Sequence, residues 1–357
     1  MPLLLPSLPS KTACLLALGA ALACHGAQAQ NLQQSYELAR AYDSAYQAAQ
    51  AQLDAAASRA EQARAGLLPT VGLGGGLSRG QTENTNPAVT RNVTTQSLTL
   101  NASQPLYRPA NRIAVEQGER GVDVAQAQLD AATQDLLVRV SQAYFDVLAA
   151  QDTLTFVQAQ KTAVSEQLAS AKRNFEVGTS TITDSREAQA RYDLVIAQEL
   201  AAENDLLVKS LALNQLVGQP NAKPKPLKAP VVLGAVVPAD VNQWVQQSET
   251  NNPTLKQLQV GLDVAQLETE KAKAGHKPTL DLTGNYTSVS NRSGSSSGPN
   301  VEPRANVTTI GLSLNLPLFA GFATQNRIKE TLSLEDKARS DLEAAKRTVA
   351  QGTRTAY

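Results

Sequence analysis

Few residues in this chain could do covalent or metal chemistry. Of its two histidines, His25 falls in an apolar leader, and His276 sits beside Lys277 and Pro278 at a helix-to-strand turn. A lone surface histidine has no orienting carboxylate and no nucleophile at a useful spacing. Both cysteines, Cys14 and Cys24, are also in the leader, so the rest of the chain offers no thiolate site and no disulfide. There is no glycine-rich phosphate loop before a helix and no cluster with metal-ligand spacing. These residues predict no enzyme, no bound cofactor and no metal.

The leader itself is informative. Lys11 precedes the apolar run Cys14 to Ala23, and Ala27-Gln28-Ala29 supplies small residues for cleavage, the pattern of a secretory signal peptide over residues 1–29. The apolar core is too short to span a bilayer, which takes about 20 residues. A rival reading takes Ala21-Leu22-Ala23-Cys24 as a lipoprotein box with lipidation at Cys24, although the residue order is poor for it. Equal counts of 32 basic and 32 acidic residues create no field that selects nucleic acid. No later run of 18 apolar residues exists, which leaves a periplasmic protein or a β-barrel.

The elements come in two copies. Ala65-Gly66-Leu67-Leu68-Pro69-Thr70 returns as Ala274-Gly275-His276-Lys277-Pro278-Thr279, and Asn92-Val93-Thr94-Thr95 as Asn306-Val307-Thr308-Thr309. Pro105-Leu106-Tyr107 matches Pro317-Leu318-Phe319, Asn111-Arg112-Ile113 matches Asn326-Arg327-Ile328, and Ala143-Tyr144 matches Ala356-Tyr357. The order is kept and the offsets stay between 209 and 215, so the chain reads as a duplication. Copy one takes residues 30–218, the Pro-rich stretch around Gln219 to Pro226 opens a linker over 219–239, and copy two takes 240–357.

Each copy begins with a helix and changes to period two after its Pro-Thr. Strands are expected at about 70–78 and 92–105, and again at about 279–288 and 307–317. Leucines and valines on one face alternate with Gly, Ser, Thr and Asn on the other. A half-buried soluble sheet gives the same alternation. A small, uncharged polar face fits better with a wet barrel lumen and lipid outside. The segments 78–91 and 288–305 are expected as long loops. Four strands leave open edges that hydrocarbon does not tolerate, so the sheet must close with other copies.

From Asn111 a heptad seam takes over, with Leu129, Leu136, Val140, Val147, Leu154 and Leu168 among its members, interrupted once by Lys161. It predicts a helix over 111–174, about 96 Å at 1.5 Å per residue. Gly178 and Thr179-Ser180-Thr181 break it, Thr183 or Asp184 caps the return, and the hairpin closes at 217.

On these residues, and above all on Tyr144-Phe145-Asp146-Val147-Leu148 and the tip Phe175-Glu176-Val177-Gly178-Thr179-Ser180-Thr181-Ile182-Thr183-Asp184, the chain resembles the TolC family of outer-membrane channels. The resemblance covers everything after the leader. It implies an α+β membrane protein of the cell outer membrane, a homotrimer with a twelve-stranded barrel in outer-membrane lipid and coiled-coil hairpins forming a periplasmic tunnel. Such a duct is passive and serves a tripartite efflux pump or a type I secretion system. Its partners would be a periplasmic adaptor and an inner-membrane pump of ABC or RND type, with no nucleic acid.

Residue by residue, the resemblance puts Val177, Gly178 and Thr179 at the turn that meets the adaptor. It makes Thr183 and Asp184 candidates for the lock holding the entrance shut. The bland readings are a turn glycine and a helix cap. Measured against the family, copy two is expected to stop partway along its long helix, before a second tip and return. The alternative function is the periplasmic adaptor of the same systems, which also uses long hairpins but lacks paired strands with small polar faces.

Overall fold

The computed structural model describes residues 30–85, 88–228, 234–294 and 304–357. The leader reading, with Cys14 and Cys24, lies outside them. The elements in order are α1 (Leu32–Tyr42), α2 (Ser44–Ala65), β1 (Thr70–Thr85), β2 (Ala88–Tyr107), α3 (Pro109–Glu176) and α4 (Ile182–Val217), followed by α5 (Val241–Asn251), α6 (Pro253–Ala274), β3 (Thr279–Gly294), β4 (Arg304–Asn315) and α7 (Ala323–Ala356). Contacts sort them into two compact units: Ala132–Ala235 with the chain up to Ala48, and Ala49–Ala131 with Val236–Tyr357. Copy two thus lies in one unit, whereas copy one is shared between both.

The second unit carries one antiparallel sheet in the order β1-β2-β3-β4. Thr70 pairs with Ser103 in the first hairpin and Thr279 with Asn315 in the second. The copies join where β2 pairs with β3, Asn101 opposite Asn285. The sheet ends on two unpaired edges, β1 and β4.

The strands differ from expectation. β1 and β2 run on through most of the anticipated loop 78–91, and β3 extends to Gly294, while β4 stops at Asn315. Beyond Ser78 the residues are Arg79, Gly80, Gln81 and Thr82. Polar on both faces, they give no period-two signal, yet the hairpin's backbone bonds need none. Residues 86–87 and 295–303, which fall in the two anticipated loops, lie outside the described residues.

The helix that opens each copy is also broken, at Asp43 in the first and Asn252 in the second, 209 positions apart. Both residues are extended, with ψ 118° and 121°, and each side chain caps the helix that follows. Asp and Asn do this because a short side-chain acceptor reaches the free N–H groups of the next first turn.

Within the second unit, Ala56, Ala60, Ala125 and Ala127 are buried. A Cβ at Gly118 would lie 3.0 Å from the Cα of Ala60. Small residues there let α2 and α3 backbones touch. Leu255 and Leu262 on α6 and Leu342 on α7 are buried, and the two helices pack on each other. In the first unit Leu136, Val140, Val147, Leu213 and Val217 form the core.

Candidate functional site

The two faces of the sheet have opposite chemistry. On one, Leu73 is 71% exposed, Ile310 77% and Leu314 70%. Burying such a surface is worth about 25 cal/mol per Å², and lipid is a solvent in which it costs nothing. No described helix is long and apolar enough to cross a membrane. The other face holds Gly72, Gly74, Gly76, Thr99, Asn101, Thr283, Asn285, Gly311 and Ser313. Its hydroxyls and amides satisfy one another: Thr287 Oγ1 donates to Asn285 Oδ1 at 2.6 Å, and Thr283 Oγ1 to the Gly311 carbonyl at 3.3 Å. Such a surface suits water and passing cargo without gripping either.

A carboxylate also lies on this face. Asp281 is buried at the base of β3 and accepts two hydrogen bonds from Arg108, Nε to Oδ1 at 2.7 Å and Nη2 to Oδ2 at 2.6 Å. The bidentate fork fixes direction as well as distance. It binds the chain leaving β2 to the strand of the other copy. Gln104 Nε2 donates to the Leu67 carbonyl at 2.9 Å, and Asn111 Nδ2 to the Gly66 carbonyl at 2.5 Å, so helix and strand ends are tied on this side too.

At the hairpin tip, α3 ends in a turn whose Gly178 has φ +79°, a left-handed conformation that a Cβ resists. Val177 N–H donates to the Arg173 carbonyl, Gly178 N–H to Phe175 and Thr179 N–H to Asn174. This leaves the Val177 side chain 72% exposed at the apex.

The cap of α4 is neither Thr183 nor Asp184. It is Thr181, whose Oγ1 accepts from Asp184 N–H at 3.2 Å, while Asp184 Oδ2 accepts from Thr181 N–H and Ser180 Oγ, both at 2.9 Å. The first helical residue is Ile182, so Asp184 is the third, the reaching-back member of a capping box. The Thr181 backbone bond, then the Thr181 and Ser180 side-chain bonds, hold the Asp184 carboxyl below the usual carboxylate range. Thr183 is exposed beside it. The structure therefore groups the expected tip and lock residues on one turn.

Three polar contacts escaped the sequence reading. Lys161, which interrupts the seam, donates to Glu199 Oε2 on α4 at 2.5 Å, with the Glu199 side chain only 14% exposed. The two stand at similar distances from the turn, and that counting could have paired them. Arg139 holds Asp43. Tyr144 donates to the Lys225 carbonyl at 2.8 Å with the Gln30 carbonyl 3.2 Å away, and Gln30 bridges to Pro224. Copy two repeats this anchor, Tyr357 donating to the Ala239 carbonyl at 2.5 Å. The repeated Ala-Tyr pair was the available signal. Among the described residues no group of acidic, His or Cys side chains could hold a metal.

The profile of the outer membrane efflux protein family matches residues 35–219 and 244–357. The chain belongs to that family. Outer membrane protein TolC of Vibrio cholerae is 33% identical over 91% of this chain and 73% of its own length. Alkaline protease secretion protein AprF of Pseudomonas aeruginosa is 30% identical over 90% of this chain and 69% of its own. In fold the chain is similar to the crystal structure of CusC, with a TM-score of 0.76 at 16% identity, covering 90% of this chain and 73% of that one. It is also similar to the outer membrane protein VceC of Vibrio cholerae, with a TM-score of 0.70 at 19% identity over 89% and 75%. The chain is thus an outer-membrane channel subunit of the efflux and type I secretion class, reaching into the periplasm. It is neither an enzyme nor a periplasmic adaptor.

Proposed function

We propose that three copies close their sheets into one twelve-stranded barrel and continue it as a helical tunnel across the periplasm. The result is a passive conduit that an inner-membrane pump of ABC or RND type drives through a periplasmic adaptor. The observation that carries this reading is the four-stranded sheet with a bare apolar face and two unpaired edges. Unpaired backbone groups are too costly in hydrocarbon for such a sheet to stay open, and four strands are too few to close alone.

Val177, Gly178 and Thr179 form the surface that meets the adaptor: an exposed apolar side chain on a turn pinned by its own backbone bonds. Thr183 and Asp184 form the first-hairpin half of the entrance lock. Because Asp184 Oδ2 already serves the cap, the lock falls to its other oxygen and to the Thr183 hydroxyl. Relatives named for protease secretion, AprF and PrtF of Dickeya chrysanthemi, favour secreted protein as one cargo.

Deleting the gene and measuring secreted proteins and drug sensitivity together tests the reading. Loss of at least one export activity is expected, restored by the wild-type chain and not by Val177→Asp at unchanged protein level. Full export without the gene would contradict it.

A further inference from the structure

We propose that the seam between copies repeats the seam inside the chain, residue for residue. In it β4 pairs antiparallel with β1 of the next copy, Asn315 opposite Gly74, and residues 316–319 become strand on that contact. The proposal rests on the trimeric reading above and adds its register.

The two hairpins share one register. Thr70 opposite Ser103 in copy one is Thr279 opposite Asn315 in copy two, which are the offsets of the Ala-Gly and Pro-Leu repeats. Equal hairpins make the β2–β3 pairing a template for β4 and the next β1. Ser103 opposite Thr283 carries over to Asn315 opposite Gly74, and Leu100 opposite Tyr286 to Leu312 opposite Leu77. Asn315 and Gly74 then lie on the polar face, Leu312 and Leu77 on the apolar one. A slip of one residue would turn leucines into the lumen, which period two forbids.

An independent observation agrees. β2 outruns its last β1 partner, and Gln104, Pro105 and Tyr107 pair with β3 as their only strand, opposite Leu282, Asp281 and Leu280. β4 ends at Asn315, the match of Ser103, and the following Leu316-Pro317-Leu318-Phe319 is not strand. Its template partners are residues 71–73 of the next copy. Leu318 is 89% exposed and Phe319 73%, a level of bare apolar surface that a neighbouring strand and lipid remove.

The two seams are not equally strong. Arg108 and Asp281 brace the inner one, whereas their matches are Ala320 and Gly72. Toward the lumen the outer seam carries Gly72, Gly74 and Gly76 against Pro317, Asn315 and Ser313, with side chains on one of its two strands only. Backbone bonds and outward leucines hold it, so copies part along this line.

Cysteine pairs in the full chain, oxidised in native outer membranes, test the register. Gly74→Cys with Asn315→Cys is expected to give covalent multimers on non-reducing denaturing gels, collapsing with reductant. A Cβ at Gly74 meets nothing within 4 Å, so the site has room. Gly74→Cys with Gly311→Cys, about 13 Å out of register at 3.3 Å per residue, is expected to stay unlinked. Linking by the displaced pair, or none by the matched pair in protein that still runs as an unheated trimer, overturns the register. Should the matched pair disturb assembly, Leu77→Cys with Leu312→Cys reads the same register from the lipid face, with the same two outcomes. A wild-type chain that is monomeric in the membrane would instead overturn the trimeric reading.

Discussion

Arg139 holds Asp43 with two nitrogens, Nη1 at 2.9 Å from Oδ2 and Nη2 at 3.3 Å from Oδ1, at the point where the first helix stops. The same carboxylate accepts from Tyr46 N–H at 2.8 Å. In copy two the break is kept by Asn252, and Gly352 stands where Arg139 stands. The cap is therefore the shared feature and the ion pair an addition of copy one.

Removing Arg139 alone leaves a nearly buried carboxylate without its cation. Arg139→Ala is expected to cost about 1–2 kcal/mol, the lower part of the range for charged hydrogen bonds because Arg139 itself is 37% exposed. Adding Asp43→Asn, the copy-two solution, should return most of the loss. The Arg139 hydrogen bond, with the Tyr46 backbone bond, lowers the Asp43 pKa. That contribution is full above the ordinary aspartate pKa and is lost as pH falls through the depressed folded value. Arg139→Ala should thus raise the pH at which acid melts the protein, followed by circular dichroism in detergent.

Two left-handed glycines separate strain from packing. Gly178 at φ +79° has open space around it, so Gly178→Ala should cost about 1 kcal/mol. Gly218, at φ +68°, closes α4 with a Cβ position 2.4 Å from the Tyr42 ring. Gly218→Ala adds that overlap and should cost about 3 kcal/mol. Equal melting temperatures for the two would contradict the packing argument.

The cap at the tip titrates. Folding lowers the Asp184 pKa through its Thr181 and Ser180 bonds, so the box is whole at neutral pH and opens as pH falls below the usual aspartate range. Amide exchange at residues 182–185, corrected for intrinsic rates, should accelerate there and should be fast at neutral pH in Thr181→Ala. Thr183→Ala should leave the cap unchanged, which separates the capping residue from its neighbour.

Lys161 and Glu199 offer a test of polar pairing inside a seam. Lys161→Ala strands a Glu199 side chain that is only 14% exposed and should destabilise the hairpin. Lys161→Met with Glu199→Leu should be neutral or stabilising, because the desolvation cost of both charges disappears. A double variant less stable than the wild type would show the pair to be net favourable.

The strand faces and the long hairpin were readable because period two and the heptad are set by many residues at once. Single contacts were less so. The break at Asn252 precedes Pro253 and is signalled, whereas Asp43 precedes Ser44 and looks like helix. The β1 extension, Arg79 to Thr85, is a run of polar residues and one glycine without alternation, and lies below any periodicity argument. The cap went to Thr181 because helix start is decided by which hydroxyl reaches a free N–H, a matter of one residue that spacing does not resolve. Arg108 and Asp281 lie 173 positions apart, and only the strand register brings them together.

In the proposed assembly this sheet is one third of a barrel. Outer membranes extracted in mild detergent and run on denaturing gels without heating measure it most directly. A band at three chain masses that falls to one on boiling is the predicted result. Wild-type, full-length chain recovered as a soluble periplasmic monomer would contradict it.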